Sequence, residues 1–140
     1  MEPIQGNSSA GKMQDGEIKP SSEALVTVRN ITRDSLLGER VEIAGTNVKR
    51  SKGLLGRKEL PCGEGMWIIP CESVHTFFMQ FPIDLIYLDK KLRVKKVKSS
   101  VKPWRISACL SAHSVLELPA GTIQGTGTER GDSLEIARPL

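Results

Sequence analysis

Aromatic residues are scarce in this chain: three Phe, two Trp and one Tyr make up 4% of its 140 residues. So small a supply leaves little platform for the repeated base stacking that single-stranded nucleic-acid binders use. Cysteine occurs only three times, at Cys62, Cys71 and Cys109, an odd count without a CxxC spacing. That usage fits reduced thiols better than a disulfide framework. Closely paired ligands of the common zinc types are missing as well, so no metal site is expected. No apolar run approaches the roughly 18 to 20 residues that a membrane span requires. A glycine-rich phosphate loop, a GxSxG elbow, an HExxH helix and repeats at solenoid periods are all absent, and no cofactor is expected.

What is present reads as a soluble globular protein, with 39% hydrophobic and 26% charged residues. The first 24 residues are polar and rich in Gly, Ser and acidic side chains, without the basic and continuously apolar regions of a secretory signal. They read as a disordered leader, and the expected location is the cytoplasm. Residues 25–140 are enough for a single domain with a core of its own. The expected state is a monomer or weak dimer.

From Leu25 to Ile31, Val26 and Val28 alternate with Thr27 and Arg29, the period of a half-buried strand. Arg40 to Ile43 can pair with it as a hairpin. Thr46 or Asn47 can cap a short helix running to about Leu55 and ended by Gly56, with an apolar stripe so thin that the helix must lie against a sheet. Further strands are expected at Met66 to Ile69, Val74 to Met79 and Ile83 to Leu88, the last two divided by Pro82. In the segment after Asp89, Leu92 and Val94 share a face but Val97 breaks the alternation, which predicts a bulge near Lys95 and Lys96. Pro103 through Ala112 reads as an irregular connection with one helical turn. Strands around Val115 to Leu118 and Leu134 to Ile136 complete the chain. Short strands with Gly and Pro punctuation predict a mainly β, β-rich α+β domain: a small, partly closed barrel with one or two short helices.

The blocks GLLGRKEL, GEGMWI, VHTFFMQFPIDLIYLD, KPWRIS, VLELPAGT and GDSLEI, in that order, resemble a bacterial and archaeal family known as domain of unknown function 192. The resemblance covers roughly residues 25 to 138. It implies a small, mainly β domain without an agreed biochemical role, and it assigns no catalytic residues.

Most candidate chemistry lies between Pro70 and Asp89, where Cys71, His75, Thr76 and Asp84 are threaded through an apolar run. Polar groups in such a setting need hydrogen-bond partners or a function. In an extended strand, Cys71 and His75 would lie about 13 Å apart, too far to share one ion. As a nucleophile and base they would need to approach within about 3 Å, with Asp84 behind the imidazole; alternatively Cys71 is a small core residue. Asp84 stands among residues that cover both faces of its strand, so it requires a buried partner, with Arg57, His75 and Thr76 as candidates. The leading expectation is a non-catalytic binding module in which His75, Thr76, Met79 and Asp84 hold a small polar ligand or a partner peptide.

Charge supplies the competing reading. Residues 90–105 hold eight Lys or Arg and no acidic residue, while the rest of the chain has twelve basic and sixteen acidic side chains. Lys95, Lys96, Lys98 and Arg105 could meet a nucleic-acid phosphate backbone. Lysines on an edge strand also discourage edge-to-edge pairing, which explains the same segment without a ligand.

Overall fold

The computed structural model describes residues 25–138, so the leader expected over residues 1–24 lies outside the described part. Strand β1 (Leu25–Asn30) pairs antiparallel with β2 (Ser35–Ala44), and the alternation of valines points Val26 and Val28 into the core. Helix α1 (Asn47–Lys52) then carries the chain across the sheet to β3 (Glu64–Ile68), which runs parallel to β2. Parallel neighbours need such a crossover. Thr46 caps α1 by accepting from Lys49 N at 3.1 Å, and the helix ends at Gly53, three residues before the expected Gly56. Gly53 has φ 51°, a backbone state open chiefly to glycine.

Strand β5 (Ile83–Leu88) matches its expected bounds and lies between β6 (Val94–Val101) and β8 (Ser114–Pro119). With β9 (Leu134–Ala137) the seven strands run in the order β6-β5-β8-β3-β2-β1-β9. The two outer strands of that order meet through a bridge between Arg93 and Ser133, with Val94 N donating to Asp132 O and Leu134 N to Leu92 O. The sheet is therefore curled into a half-barrel whose edges touch at one end. Its inner face is one core cluster drawn from all seven strands, including Val28, Ile43, Trp67, Leu88, Leu116 and Ile136. Helix α2 (Thr122–Thr126) adds Ile123 to it.

A second cluster, with Met66, Ile68, Leu85, Tyr87 and Val115, covers the outer face. It is roofed by Leu54, which follows α1, and by Val74 of a separate two-stranded sheet, β4 (Ser73–His75) with β7 (Ile106–Ala108). Both sides of β5 are thus packed, and all six of its residues are buried. The register of β5 against β6 shifts between Tyr87 and Leu88, where Lys95 is the extra residue, so the bulge lies where the broken alternation predicts it.

Two expectations need correction. The strand expected over Val74 to Met79 stops at His75, because Thr76 turns the chain: its Oγ1 donates to Lys102 O at 2.7 Å and accepts from Arg105 N at 2.8 Å. The segment Pro103 to Ala112 holds β7 in place of a helical turn, recruited by pairing with β4.

Candidate functional site

Asp84 is fully buried on the inner face of β5. None of Arg57, His75 or Thr76 is its partner. Oδ1 accepts from Ser100 N and Oδ2 from Ile123 N, each at 2.8 Å. Ser100 lies where the register of β5 and β6 shifts a second time, and its φ is 50°. The carboxylate thus satisfies an amide that the irregular ladder leaves unpaired, and with its other oxygen it secures the first turn of α2. Arg57 pairs instead with Glu42 at 2.6 Å.

On the outer face, between α1 and the chain from Pro70 to His75, lies a cleft of about 380 Å³. Cys71, His75 and Met79 line it, so the structure brings three of the sequence candidates together. Arg50, Lys52 and Gly53 form the α1 side, and Glu117 of β8 lies at the bottom. Asp84 and Thr76 are not among the lining residues.

Glu117 went unrecognised in the sequence. It is 5% exposed, and its Oε1 has no hydrogen-bond partner among the described residues. Burial pushes its carboxyl up to about 7, although the charge of Arg57 pulls the other way. A carboxyl so placed is half protonated near neutral pH and can donate or accept. The signal was available: Glu117 interrupts the apolar run Val115 to Leu118 just as Asp84 interrupts its own. Unlike Asp84, it has no backbone amide to satisfy Oε1.

The thiol and imidazole show no sign of a working pair. Cys71 Sγ donates to Ser73 O at 3.1 Å, and no hydrogen bond joins Cys71 to His75 among the described residues. Burial pushes the Cys71 thiol up, and the nearby carboxyl of Glu117 acts in the same direction, which keeps the sulfur protonated. The ring of His75 lies 4.9 Å from that of Phe77, the first member of a surface aromatic group. Phe77 stacks on Trp104 at 5.7 Å, and Phe78 meets Trp104 at 4.6 Å. Phe78 and Trp104 are 70% and 56% exposed and carry φ values of 66° and 68°. Bulky residues in the left-handed region are strained, and such strain collects at binding surfaces.

Two of the four basic candidates are engaged with backbone carbonyls. Lys96 Nζ lies over the Tyr87 ring at 5.8 Å and donates to Ala108 O. Arg105 Nη1 donates to the carbonyls of Pro103 and Trp104, both at 3.4 Å. Lys95 occupies the bulge, and Lys98 is exposed on the same edge strand. No cluster of three His, Cys, Asp or Glu suited to a metal ion occurs among the described residues. No helix among them is long and apolar enough to cross a membrane.

Known proteins resemble this chain in sequence and in fold. A UPF0127 protein of Pyrococcus horikoshii is 37% identical over 101 residues, covering 68% of this chain and 85% of its own. A UPF0127 protein of Pyrococcus furiosus is 33% identical over 117 residues, covering 79% and 98%. Among solved structures, a protein of unknown function from Novosphingobium aromaticivorans superposes with a TM-score of 0.68 at 25% identity, covering 91% of this chain and 94% of its own. A Sinorhizobium meliloti protein, provisionally described as a transcription regulator, gives 0.70 at 24% identity, covering 79% and 91%, a likeness that bears on fold alone. The family model for DUF192, described as Uncharacterized ACR, matches residues 28–136. With nearly the whole described fold inside that match, this chain belongs to the DUF192 family.

Proposed function

We propose that the chain is a non-catalytic binding module whose outer cleft takes a small polar ligand. The observation that carries this reading is Glu117: a buried carboxyl oxygen without a partner at the bottom of an open cleft. Leaving a buried acceptor unsatisfied costs about 1–3 kcal/mol, which a ligand donor would recover. Lys52, on the α1 side of the same cleft, complements an acceptor or negative group on the ligand, while Arg50 beside it is held by Gly45 O and Asn47 Oδ1. A polar molecule that carries both a donor and an acceptor or anionic group fits the two. Apolar contact with Leu54, Ile68 and Met79 would position its body.

His75 connects the cleft to the aromatic group of Phe77, Phe78 and Trp104, and this continuity favours a short peptide as the second form of ligand. Its polar end would enter the cleft while an apolar side chain rests on the exposed rings. A thiol catalyst is the weaker reading, since Cys71 donates to a backbone carbonyl and its thiol is shifted away from the thiolate. Nucleic-acid contact through Lys95, Lys96, Lys98 and Arg105 finds less support, because Lys96 and Arg105 bond to carbonyls nearby. The cytoplasm and a monomer or weak dimer remain part of the proposal.

The test is thermal denaturation against a panel of amino acids, polyamines, dicarboxylates, sugars and short peptides. A ligand that binds only the native state raises the midpoint in a concentration-dependent way. At least one class should do so, and its effect should shrink in Glu117→Gln. A panel without any stabilising class contradicts the proposal.

A further inference from the structure

A second pocket, separate from the outer cleft, opens where the turn between β5 and β6 passes the end of the half-barrel. Its volume is about 360 Å³, and Trp67, Ile69, Leu92, Ser114 and Ile136 form its walls. Trp67 and Ile136 also belong to the inner core cluster shared by all seven strands, so this pocket leads from solvent into the barrel interior. Barrel mouths are recurrent ligand sites, typically apolar with a few polar groups that fix orientation.

Two of its polar groups are buried without a partner. Trp67 is 5% exposed and Ser114 is 1% exposed, yet Trp67 Nε1 and Ser114 Oγ have no hydrogen-bond partner among the described residues. Buried polar side chains nearly always find partners. The indole N–H can only donate and the hydroxyl can donate, so the missing group is an acceptor able to receive both. A carbonyl oxygen, with two lone pairs, has that capacity.

Charge decides the rest. Lys90 stands exposed at the rim, and the neighbouring Asp89 is occupied by its own turn, accepting from Lys91 N and Arg93 N at 2.8 and 2.9 Å. His113 also lines the pocket but is half-buried, and beyond it and the exposed Lys90 no basic side chain does, so a carboxylate reaching Trp67 would lose its hydration without a Lys or Arg counter-charge beside it. We propose that the barrel mouth binds a small, mainly apolar molecule whose uncharged carbonyl oxygen accepts hydrogen bonds from Trp67 and Ser114. The apolar part lies against Ile69, Leu92 and Ile136.

The experiment uses 2-heptanone as the probe, heptanoate as its charged counterpart, and the full chain with the Trp67 indole N–H resonance assigned through Trp104→Phe. The ketone should move that resonance saturably, and heptanoate should bind more weakly. Ser114→Ala should weaken the ketone by roughly five- to tenfold, the loss of one net hydrogen bond. The same substitution should leave the free protein at least as stable as before, because its hydroxyl has no partner to lose. The proposal is overturned if the ketone leaves the indole resonance unmoved up to its solubility limit, including the case in which a long-lived water contacts that proton. Equal ketone binding in Ser114→Ala, or tighter binding of heptanoate, overturns it too.

Discussion

Replacing Glu117 with Gln should remove a specific part of the pH dependence of stability. Below the ordinary value of 4.5 the carboxyl is neutral whether the chain is folded or unfolded. Between 4.5 and about 7 the unfolded chain ionises it while burial keeps the folded chain protonated, so unfolding releases a proton and stability falls as pH rises. Above about 7 both states are ionised and the deficit stays constant. At 1.36 kcal/mol for each pH step, a carboxyl moved from 4.5 to about 7 makes the protein roughly 3 kcal/mol less stable at pH 8 than at pH 4. Other carboxylates titrate over part of this range, so the informative quantity is the difference between the native chain and Glu117→Gln. Urea unfolding at intervals from pH 4 to pH 8.5 measures it. The native chain should lose about 3 kcal/mol relative to the variant, nearly all of it between pH 4.5 and 7.5. Parallel curves for the two proteins would refute the reasoning, since they would mean that Glu117 ionises in the fold as readily as in water.

Asp84→Ala orphans the buried amide of Ile123, worth about 1–3 kcal/mol, and the part-buried amide of Ser100, which water can partly satisfy, so urea unfolding should show a loss of about 1.5–4 kcal/mol; a loss below 1 kcal/mol would show that the carboxylate does not secure α2. Iodoacetamide at pH 7 should label exposed Cys62 well before Cys71, and mass spectrometry showing the reverse would identify an activated thiolate and revive the catalytic reading. Gel-shift assays at low salt with single-stranded DNA and RNA should show no complex. A complex that weakens both with added salt and with Lys95→Glu plus Lys96→Glu would instead assign nucleic acid to the edge strand.

The fold was legible where local pattern and tertiary packing agree. The run Ile83 to Leu88 is β-branched and apolar enough to fix its own ends, and the lapse in alternation at Val97 located the bulge of β6. The half-barrel and its short helices follow from the punctuation between such strands. Elements that exist through distant partners were not legible. Strand β7 has three residues and forms because Val74 and His75 lie opposite Ser107 and Ile106. The strand expected through Met79 yielded to a hydroxyl of Thr76 that meets backbone more than twenty residues away. At the site, an apolar run with one carboxylate inside it revealed the anomaly at Asp84 but not its nature. Its partners are two backbone amides, which carry no side-chain signature. The same anomaly at Glu117 stood in the sequence, and only packing distinguishes the two: Asp84 is satisfied by the fold, whereas Glu117 faces a cleft with one oxygen unpaired.

Chemical-shift mapping of the native chain and Glu117→Gln side by side, against the ligand class that gives the largest thermal stabilisation, tests the outer cleft most directly. The expected result is saturable movement of the signals of Gly53, Cys71, His75 and Met79 in the native chain, with affinity at least tenfold weaker in the variant. Signals that stay still in the cleft, or an identical response in the two proteins, would contradict a ligand site built on Glu117.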